Sequence, residues 1–465
     1  MLEYYFYRVI TTLTDMRLRT IDNFLDVDQK LFALSVIEDR AIPSVIDGFK
    51  PVQRKIIYIA DKLWKSGNEK PMKVFQLGGQ VSSLALYEHG DASMNSAIIS
   101  MNQIFKNNLP LLDGYGQYGN IRVPYAGQPR YVGTKLSKNF RLVYKDFELL
   151  ENKVDEGCVI EPPYFLPIIP MVLVNGSRGI AVAYSSNVLN RDPLDVVNAC
   201  IDFLKGKKTK ELKPHINGFQ GVWKRDVQNP NKWLESGIYK VINTTTVNVT
   251  ELPPDVTFED YEKYLDSLVD KKVLVDYDNN SSSNVNYILK FTRQELKSRL
   301  DGGTLETLLK IHSSETENIT TLDENGHLKI FEKVEDIIPY FCKFRLGWYD
   351  KRKKFLIENL EKDIEMLSEK ARFLKAIITK KLKIANTPKK EVVGWLETNK
   401  FKKQNSGYDY LIGMPIHNLT KEKYEEFLKL LEKKKLELKE ISEKKPIDMY
   451  LEDLRELKKE ITKSL

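Results

Sequence analysis

One tyrosine of this sequence stands in a setting that favours covalent chemistry. Tyr131 follows Arg130 directly, at the exit of a glycine-rich stretch (111–133), and lies about forty residues after a turn that contains His89. A phenol has an ordinary pKa of about 10 and becomes a nucleophile near neutral pH only where a cation or a base stabilises its phenolate. The neighbouring guanidinium and imidazole are groups of that kind. The pattern indicates a candidate nucleophile, whereas packing is the ordinary role of a tyrosine.

The elements that must position this tyrosine begin with a helical region. From about residue 28 to residue 112 the apolar spacing is helical, and Pro43 and Pro51 each punctuate a helix. The stretch 111–133 holds too many glycines for a helix, and its glycines permit the close approach of a ligand. We therefore expect several short helices followed by an irregular loop that carries Tyr131.

Beyond about residue 160 the pattern changes to strands. The stretches 168–184, 237–253 and 271–292 are rich in β-branched residues and are separated by Asn, Gly and Ser. Residues 276–284 are predicted to form a hairpin loop. Amphipathic helices are expected at 258–270 and in RQELKSRLDG, so this region is mixed α and β.

After about residue 335 the chain is predicted to be almost wholly helical. Two stretches have apolar residues at alternating spacings of three and four, which is typical of an antiparallel coiled coil. The predicted seams are Leu360, Ile364, Leu367, Ala371, Leu374 and Ile378 in the first helix, and Tyr424, Leu428, Leu431, Lys435 and Leu438 in the second. A break at 386–419 predicts a small globular tip with short helices of its own.

The composition is that of a globular protein of several domains. The 465 residues include 72 Lys and Arg against 65 Asp and Glu, a formal net charge of +7. This charge is +6 over residues 1–145, −9 over 146–342 and +10 over 343–465. Such an uneven distribution steers a polyanion to particular faces, although a solvated Lys- and Glu-rich surface explains it equally well.

The cysteines and the hydropathy indicate the cellular compartment of the protein. Three cysteines without CxxC spacing support neither a disulfide framework nor a zinc site. No run of 18 apolar residues occurs, so we expect no membrane association. The sequence predicts a soluble protein of a reducing compartment such as the cytoplasm.

Several motifs together resemble the breakage–reunion domain of type IIA DNA topoisomerases. The matching segments are, in order, IPSVIDGFKPVQRKIIY, KVFQLGGQVSSLALYEHGDASM, GQYGN, PRYVGTKLS, IIPMVLVNGSRGIAVAYS, ELPPD, KRKKFLIENLEKDIEMLSEKARF and YDYLIGMPIHNLTKEK. The resemblance extends from about residue 28 to the end of the sequence. Because several independent motifs occur in the same order, it is specific.

The amino-acid sequences of the motifs are closer to those of eukaryotic topoisomerase II than to those of bacterial gyrase. YEHGD is similar to the eukaryotic Tyr-His-His-Gly-Glu, and QPRY to Ser-Pro-Arg-Tyr. The sequence has no recognisable ATP-binding region, and its Asp-x-Asp pairs lack a toprim context. A short subunit with eukaryote-like motifs resembles the medium subunit of T-even phage topoisomerases. This resemblance implies that the protein acts in the cytoplasm of a bacterial host, near the nucleoid.

The resemblance assigns a role to each matching residue. It implies that Tyr131 is the nucleophile that becomes joined to a 5′ phosphate, that Arg130 stabilises the transition state, and that His89 lies near the scissile phosphate. It implies DNA contacts for Arg40, Lys50 and Arg54, and it implies that Ile180 is a wedge inserted between base pairs. No residue of this chain is expected to bind a metal.

Two positions depart from the family pattern. Glu88 stands where the eukaryotic motif has its first histidine, so a carboxylate replaces a cationic contact. Gln53 stands where gyrase has histidine, although eukaryotic enzymes also carry glutamine there. The nucleophile is unaffected, whereas the phosphate contacts around Glu88 differ from those of the family.

The implied fold is α+β and multidomain. It comprises an N-terminal arm (1–27), a winged-helix DNA-gate domain with the catalytic tyrosine (28–160), a mixed α/β tower domain (161–335), and an antiparallel coiled coil with a small helical exit gate (336–465). This length leaves no room for an ATPase or a toprim domain.

The implied function is that of the DNA cleavage–religation subunit of an ATP-dependent type II topoisomerase. Its partners would be double-stranded DNA, a second copy bound through the C-terminal gate, and one or more large subunits that use ATP and hold Mg²⁺ in a toprim domain. Two alternatives stay open: a non-catalytic architectural DNA-binding protein, and a nuclease that cuts without resealing. Retention of Tyr131 beside Arg130, with His89, favours the topoisomerase.

Overall fold

The computed structural model describes residues 20–67, 69–282, 284–384, 387–404, 407–415 and 419–464. Their contacts divide the chain into two compact units. The first unit contains the described residues up to Cys342 together with those from Leu454 onward, and the second contains Lys343–Asp453. The arm predicted for residues 1–27 is thus described only from Thr20, and the predicted last domain is divided between the units.

The first unit begins with the helical region that the sequence predicts. A helical segment from Ile21 to Ala41 includes two π-helical stretches, Phe24–Gln29 and Ile37–Ala41. The α-helices in the first part of the unit are α1 (Ile21–Asn23), α2 (Lys30–Val36), α3 (Pro51–Leu63), α4 (Val74–Leu84), α5 (Asp91–Asn102), α6 (Lys138–Val143), α7 (Met171–Val174) and α8 (Pro193–Leu204).

The starts of α3 and α4 are encoded locally. Pro51 occupies the first turn of α3, where no backbone donor is needed. The side chain of Gln53 accepts a hydrogen bond from the Lys50 amide at 2.9 Å, and that of Gln76 accepts one from the Lys73 amide at 3.0 Å. Both contacts are the reciprocal half of a capping box, and they fix where each helix begins.

Three antiparallel strands pack with these helices. They are β1 (Met72–Lys73), β2 (Leu112–Tyr115) and β3 (Gly133–Leu136), in the spatial order β1-β3-β2. Leu112 pairs with Leu136, and Lys73 pairs with Gly133. The glycine-rich stretch therefore connects two neighbouring strands, as an irregular loop, and Tyr131 lies two residues before β3.

The rest of the first unit is rich in strands. Two hairpins pair β4 (Val154–Asp155) with β5 (Cys158–Val159) and β6 (Ser177–Ile180) with β7 (Ser185–Val188). A three-stranded sheet then contains β8 (Val222–Arg225), β9 (Lys232–Ser236) and β14 (His312–Thr316), with β9 in the centre. A final hairpin pairs β15 (Thr320–Leu322) with β16 (Leu328–Ile330).

A four-stranded antiparallel sheet forms a separate core of the unit. Its strands are β10 (Ile238–Val241), β11 (Thr246–Glu251), β12 (Asp276–Asn279) and β13 (Tyr287–Lys290), in the spatial order β10-β11-β13-β12, and its helices are α9 (Phe258–Asp270), α10 (Arg293–Asp301) and α11 (Leu305–Leu309). Val247, Tyr261 and Leu289 are among its fully buried residues. The strands and both amphipathic helices confirm the mixed α and β fold.

Two local predictions in this part of the chain are wrong. Residues 276–279 form β12, so the predicted hairpin loop begins only after Asn279. Met171–Val174 is a short helix, although its apolar β-branched run predicts a strand. All four of its side chains are buried, and a fully buried run has no polar face to reveal its period.

The second unit contains two long antiparallel helices, α12 (Ile337–Ile378), which begins in the first unit, and α15 (Lys421–Glu443). Lys353 in α12 donates to the carbonyl of Ser442 at 2.8 Å, and Asp363 pairs with Lys434 at 3.1 Å. Residues farther along α12 therefore contact residues nearer the start of α15, so the two helices run in opposite directions.

A small cluster lies between these helices in sequence, where the globular tip is predicted. It contains α13 (Lys389–Thr398) and α14 (Asp409–Ile412). Its buried residues include Phe373, Leu396 and Leu411. The short helices expected for the tip are therefore present in its described residues.

The seam of α15 differs in phase from the prediction. Leu428 and Lys435 are exposed, although the predicted seam contains both. The partly buried positions of α15 are Lys423, Tyr424, Phe427, Leu431, Lys434, Leu438 and Ile441. Because spacings of three and four alternate in both phases, one helix alone does not distinguish them.

The described residues also include α16 (Pro446–Ser464), whose residues from Leu454 pack with the first unit. Lys458 donates to the side chain of Asn198 in α8 at 2.7 Å. Among the described helices, none is both long enough and apolar enough to cross a lipid bilayer.

Candidate functional site

Tyr131 lies in a turn that leads into β3. Its amide donates a hydrogen bond to the carbonyl of Gln128 at 2.8 Å, which closes the turn. The residue is 70% exposed, and no hydrogen bond holds its hydroxyl group among the described residues. The backbone of Tyr131 is therefore fixed, and its phenol is free to meet a substrate.

The N-terminus of α4 holds the turn in place. The amide of Val74 donates to the carbonyl of Val132 at 3.1 Å, and the amide of Phe75 donates to that of Pro129 at 3.2 Å. The first amides of a helix have no partner within the helix, so these two carbonyls satisfy them. The ammonium group of Lys73 donates to the carbonyl of Tyr131 itself at 2.7 Å.

Two cationic side chains thus belong to the turn of Tyr131 or contact it. Arg130 is exposed, and its guanidinium forms no ion pair with any described residue. Lys73 is exposed as well and keeps two further N–H donors. A planar guanidinium and an ammonium group at one exposed turn suit an anionic substrate such as a phosphodiester.

The glycine-rich loop before Tyr131 is held by side chains from its neighbours. The amide group of Gln103 donates to the carbonyls of Tyr118 and Pro124 at 3.0 and 3.1 Å. The hydroxyl of Tyr118 donates to the carbonyl of Gly133 at 2.7 Å, and burial raises the pKa of Tyr118 well above 10. Gly119 has a φ of +77°, and a Cβ there would lie 2.6 Å from the carbonyl oxygen of Val123.

A second set of predicted residues lines a separate groove of about 1500 Å³. Arg40, Lys50, Arg54 and His89 all contribute to its wall, whereas Arg130, Tyr131 and Ile180 do not. The groove also has carboxylates, including the Glu88 that replaces the family histidine. The structure therefore brings four of the seven predicted site residues together and leaves the predicted nucleophile outside the wall of this groove.

His89 is presented to this groove by an aromatic contact. Its ring packs edge-on against Tyr87, with centroids 5.3 Å apart. Burial raises the pKa of Tyr87, and the nearby positive charge of Arg40 opposes that rise. Arg40, Tyr87 and His89 are therefore close to one another, with the charge of Arg40 exposed to an incoming anion.

Arg54 has a structural role that its sequence position does not reveal. Its Nε and Nη2 donate to the two carboxylate oxygens of Asp47 at 2.6 and 3.1 Å, and Arg54 is only 6% exposed. Burial is the largest effect and lowers the pKa of Arg54, but the charge and hydrogen bonds of Asp47, together with the charges of Glu161 and Tyr144, raise the pKa overall. Asp47 also accepts the amides of Phe49 and Phe165, so this pair ties three segments together.

Lys50 and Ile180 are connected through the β6–β7 hairpin. The ammonium group of Lys50 donates to the carbonyl of Arg178 at 2.7 Å, and burial lowers the pKa of Lys50. A Cβ at Gly179 would lie 2.1 Å from the carbonyl oxygen of Ala41, so only glycine permits this close packing. Ile180 ends the strand and is 84% exposed, which excludes a core position.

The two sets of residues lie at opposite ends of α4. Tyr131 is bonded to its N-terminus, whereas Tyr87, beside His89, donates its amide to the carbonyl of Ser82 in the last turn. An 11-residue helix is about 16 Å long. The turn of Tyr131 and the segment that carries His89 are therefore separated by the length of this helix.

No metal site is formed by the described part of the chain. It contains no group of three or more His, Cys, Asp or Glu side chains that is arranged to hold an ion. The pair Asp276 and Asp278 is instead bridged by Lys290, at 3.6 and 2.9 Å. The described residues thus offer no set of side chains that fits Mg²⁺.

Lys73 is not among the residues that the sequence identifies as functional. The signal that could have found it is its place at the start of α4, in a Lys-x-x-Gln capping pattern. The contact with Tyr131 spans 58 residues of sequence, so no local pattern reveals it.

Comparisons with known proteins identify the family of the chain. Residues 40–456 match the family model that describes the A subunit of DNA gyrase/topoisomerase IV. The chain is 34% identical over 442 residues to mitochondrial DNA topoisomerase 2 of Dictyostelium discoideum, covering 91% of this chain and 34% of that protein. It is 32% identical over 484 residues to DNA topoisomerase 2-alpha of Gallus gallus, covering 95% of this chain and 30% of that protein.

A solved structure gives the same result. The DNA-binding, cleavage and re-ligation domain of Plasmodium falciparum topoisomerase II matches with a TM-score of 0.83 and 30% identity, over 92% of this chain and 62% of that chain. The chain spans about a third of the length of the curated relatives that it matches.

Proposed function

Because the chain belongs to the DNA gyrase/topoisomerase IV family, we propose that it cleaves and reseals the DNA backbone within a type II topoisomerase. The observation that carries this proposal is the setting of Tyr131. Its turn is held by backbone hydrogen bonds and by the ammonium group of Lys73, and its phenol is exposed at a turn that also carries Arg130. A fixed, accessible nucleophile next to two cations suits attack on a phosphodiester.

The chemistry is a transesterification. The phenol oxygen of Tyr131 bonds to the phosphorus and loses its proton, while the bond from phosphorus to the 3′ oxygen breaks and that oxygen gains a proton. The product is a 5′-phosphotyrosine and a free 3′ hydroxyl. Because one phosphodiester replaces another, the reverse reaction reseals the strand without an external source of energy.

Arg130 and Lys73 would act on the charge that develops during this exchange. The guanidinium of Arg130 can offer paired N–H donors to the phosphoryl oxygens, and Lys73 supplies a second positive charge at the same turn. Neither side chain has an ion-pair partner among the described residues, so neither must first be released from one.

A second copy of the chain would complete the site. His89 and Tyr131 lie beyond opposite ends of α4, a helix about 16 Å long. A duplex that contacts Arg40, Lys50 and His89 of one copy would therefore meet the Tyr131 of the other. Two copies also supply two nucleophiles, one for each strand, as two-fold symmetry requires.

The same proposal assigns the remaining parts. Arg40 and Lys50 would bind phosphates, and the exposed Ile180 would insert between base pairs and bend the duplex. The helices α3 to α5 with β1–β3 would form the winged-helix gate, the following sheets the tower, and the second unit the gate through which two copies associate.

We propose that partner subunits use ATP and hold Mg²⁺. We infer that ATP is used, and Mg²⁺ is held, by a separate large subunit with a toprim domain, as in the phage enzymes that the sequence resembles. Mg²⁺ bound there would stabilise negative charge on the reacting phosphate.

The decisive experiment traps the covalent intermediate. Wild-type chain, the co-expressed toprim partner, Mg²⁺ and a labelled duplex are mixed, and the reaction is stopped with denaturant. We expect label on the wild-type chain and none on the Tyr131→Phe variant, with equal DNA binding by both. Tyr115→Phe, a nearby exposed tyrosine, serves as the matched control and should retain the adduct.

The alternatives give different outcomes. An architectural protein would bind DNA without any adduct, and a nuclease would leave permanent breaks that reversal does not reseal. Chelation of Mg²⁺ before the denaturant is added should make the adduct disappear and restore intact duplex. Persistent breaks after chelation would contradict the proposal.

A further inference from the structure

The loop that carries Tyr131 is attached to a distant part of the first unit by one buried arginine. Nη1 of Arg122 donates to the carbonyls of Pro253 and Val256 at 2.6 and 2.9 Å. Nη2 donates to Glu251 Oε1 at 2.5 Å and to the carbonyl of Leu252. The side chain thus binds one carboxylate and three backbone carbonyls of the single segment 251–256.

The backbone around Arg122 strengthens the attachment. Its own carbonyl accepts the amide of Phe258 at 3.1 Å, at the start of α9. The side chain of Asn120 accepts the amides of Arg122 and Val123, both at 2.8 Å, and so fixes the bend that presents Arg122. Arg122 is 3% exposed. A buried guanidinium needs pairing on this scale to offset its loss of hydration.

Arg122 lies at the apex of a closed loop whose base adjoins the nucleophile. The amide of Gly127 donates to the carbonyl of Gln117 at 2.9 Å, which joins the two ends of the loop. The carbonyl of Gln128, the next residue, accepts the amide of Tyr131. A shift of Arg122 at the apex would therefore move the turn of Tyr131, because a short hydrogen-bonded path connects the two.

The segment that Arg122 binds also forms part of the groove. Pro254 and Asp255 line the groove that contains His89 and Arg40, and so do Ile121 and Pro124 on either side of Arg122. The same contacts therefore touch the wall of the groove on one side and the loop of the nucleophile on the other.

We propose that Arg122 is a positioning residue: through its bonds to the segment 251–256 it ties the loop of Tyr131 to the groove wall and sets the rate of strand cleavage without contacting DNA. The inference rests on the proposed function and adds a residue to it. Reaction rates depend steeply on the placement of the attacking atom, since a displacement of about 1 Å can cost a hundredfold.

The test compares two buried arginines. Arg122→Lys keeps the positive charge but loses the paired donors, so the loop remains near its site with weaker attachment. The matched control is Arg191→Lys, because Arg191 is equally buried and binds Glu317 at 2.6 and 2.7 Å but has no bond to the loop of Tyr131. Adduct formation with the toprim partner, DNA affinity and the thermal midpoint are measured for each.

For Arg122→Lys we expect adduct formation at saturating DNA to slow by about tenfold or more, with DNA affinity unchanged within about twofold. Arg191→Lys should lower the thermal midpoint by a similar amount and leave the adduct rate as in wild type. A merely structural arginine would give the same rate for both variants, and equal rates would overturn the inference.

A second variant decides the case in which Arg122→Lys does not fold. Glu251→Gln keeps an acceptor for Arg122 and for the amide of Leu252, and it removes the charge of the pair together with the second oxygen, which accepts the amide of Gln220 at 2.9 Å. It should slow adduct formation in the same direction by a smaller factor, and an unchanged rate would overturn the inference. Absence of a Tyr131-dependent adduct in the wild type would instead overturn the proposed function.

Discussion

The ammonium nitrogen of Lys73 lies 2.7 Å from the main-chain oxygen of Tyr131, so the residue directly before α4 also holds the backbone of the candidate nucleophile. Replacing Lys73 by Met removes this bond and one positive charge from the turn. We expect adduct formation to slow by about tenfold, because a hydrogen bond to a charged group contributes at least about 1.5 kcal/mol. Single-turnover cleavage of a labelled duplex measures it.

Lys135 provides the control for this variant. It lies on the adjoining strand β3, and its ammonium group likewise donates to a backbone carbonyl, that of Gly67, at 2.6 Å. Lys135→Met should leave the rate of adduct formation as in wild type. Equal slowing by both variants would mean that general surface charge, and not the bond to Tyr131, is responsible.

Arg54 and Arg40 line the same groove but should respond to substitution in different ways. Arg54→Met leaves the carboxylate of Asp47 buried and unpaired, which costs about 3 to 5 kcal/mol of folding free energy. Arg40→Ala removes an exposed charge and should leave stability unchanged, while it weakens DNA binding and lowers the salt dependence of binding by about one counterion.

Urea unfolding and DNA titrations at several salt concentrations separate the two arginines. An Arg54→Met variant with wild-type stability would show that the buried pair does not support the fold. An Arg40→Ala variant with an unchanged salt dependence would show that Arg40 makes no phosphate contact.

Ile180 should affect the shape of bound DNA more than its affinity. An apolar side chain inserted between base pairs favours a kinked duplex, so Ile180→Ala should reduce bending. Energy transfer between dyes at the two ends of a short duplex reports the bend. Val227, which is 96% exposed, is the matched control, and Val227→Ala should bend DNA as the wild type does.

Glu235 should make the protein less stable as the pH rises. Burial, and then the charges of Asp255 and Glu315, raise the pKa of Glu235 to about 8 from an ordinary value of 4.5. Between these two values the folded state holds a proton that the unfolded state has released. Stability therefore falls as the pH rises across that window, because folding binds a proton there.

Glu235→Gln keeps the shape and removes the titration. The variant should unfold at a higher urea concentration than wild type at pH 8.5, and the difference should shrink towards pH 5. The control is Glu306→Gln, since Glu306 is an exposed carboxylate whose pKa is lowered by its hydrogen bond to His312, and this variant should bring no gain at pH 8.5. A pH-independent difference for Glu235→Gln would contradict the prediction.

The phase of the α15 seam can be tested with two leucines of one helix. Leu431 is partly buried, whereas Leu428 is exposed. Leu431→Ala should therefore cost about 1 to 2 kcal/mol, less than a fully buried leucine, and Leu428→Ala close to nothing. Urea unfolding of the two variants compares them, and a larger loss for Leu428→Ala would restore the phase predicted from the sequence.

The fold could be predicted from the sequence where the spacing of apolar residues and the capping residues indicate the same element. Helix α9 has the predicted bounds because Thr257 caps it, with its hydroxyl accepting the amide of Asp260, and its apolar residues keep a helical spacing. Met171–Val174 could not be predicted, since its run of buried apolar residues has no period. The choice between the two seams of α15 needs the partner helix, which lies far away in sequence.

The candidate site is predictable only in part, for the same reason. The types and order of the motifs identify Tyr131, Arg130 and His89. They do not show that Arg54 is buried in an ion pair with Asp47, because the sequence of a basic motif is the same whether its arginine is exposed or buried. The contact between Arg122 and Glu251 spans 129 residues, and no short pattern encodes it.

The separation of His89 and Tyr131 by the length of α4 has a consequence for unequal pairs. In the proposed site, which two copies share, loss of the phenol from one copy and of the imidazole from the other puts both defects on the same composite site, and the other site keeps all of its groups. Such a hybrid would open one strand of the duplex and leave its complement intact. Two substitutions divided between the copies would thus convert a double-strand cleavage into a single-strand cleavage, about which the intact strand can rotate.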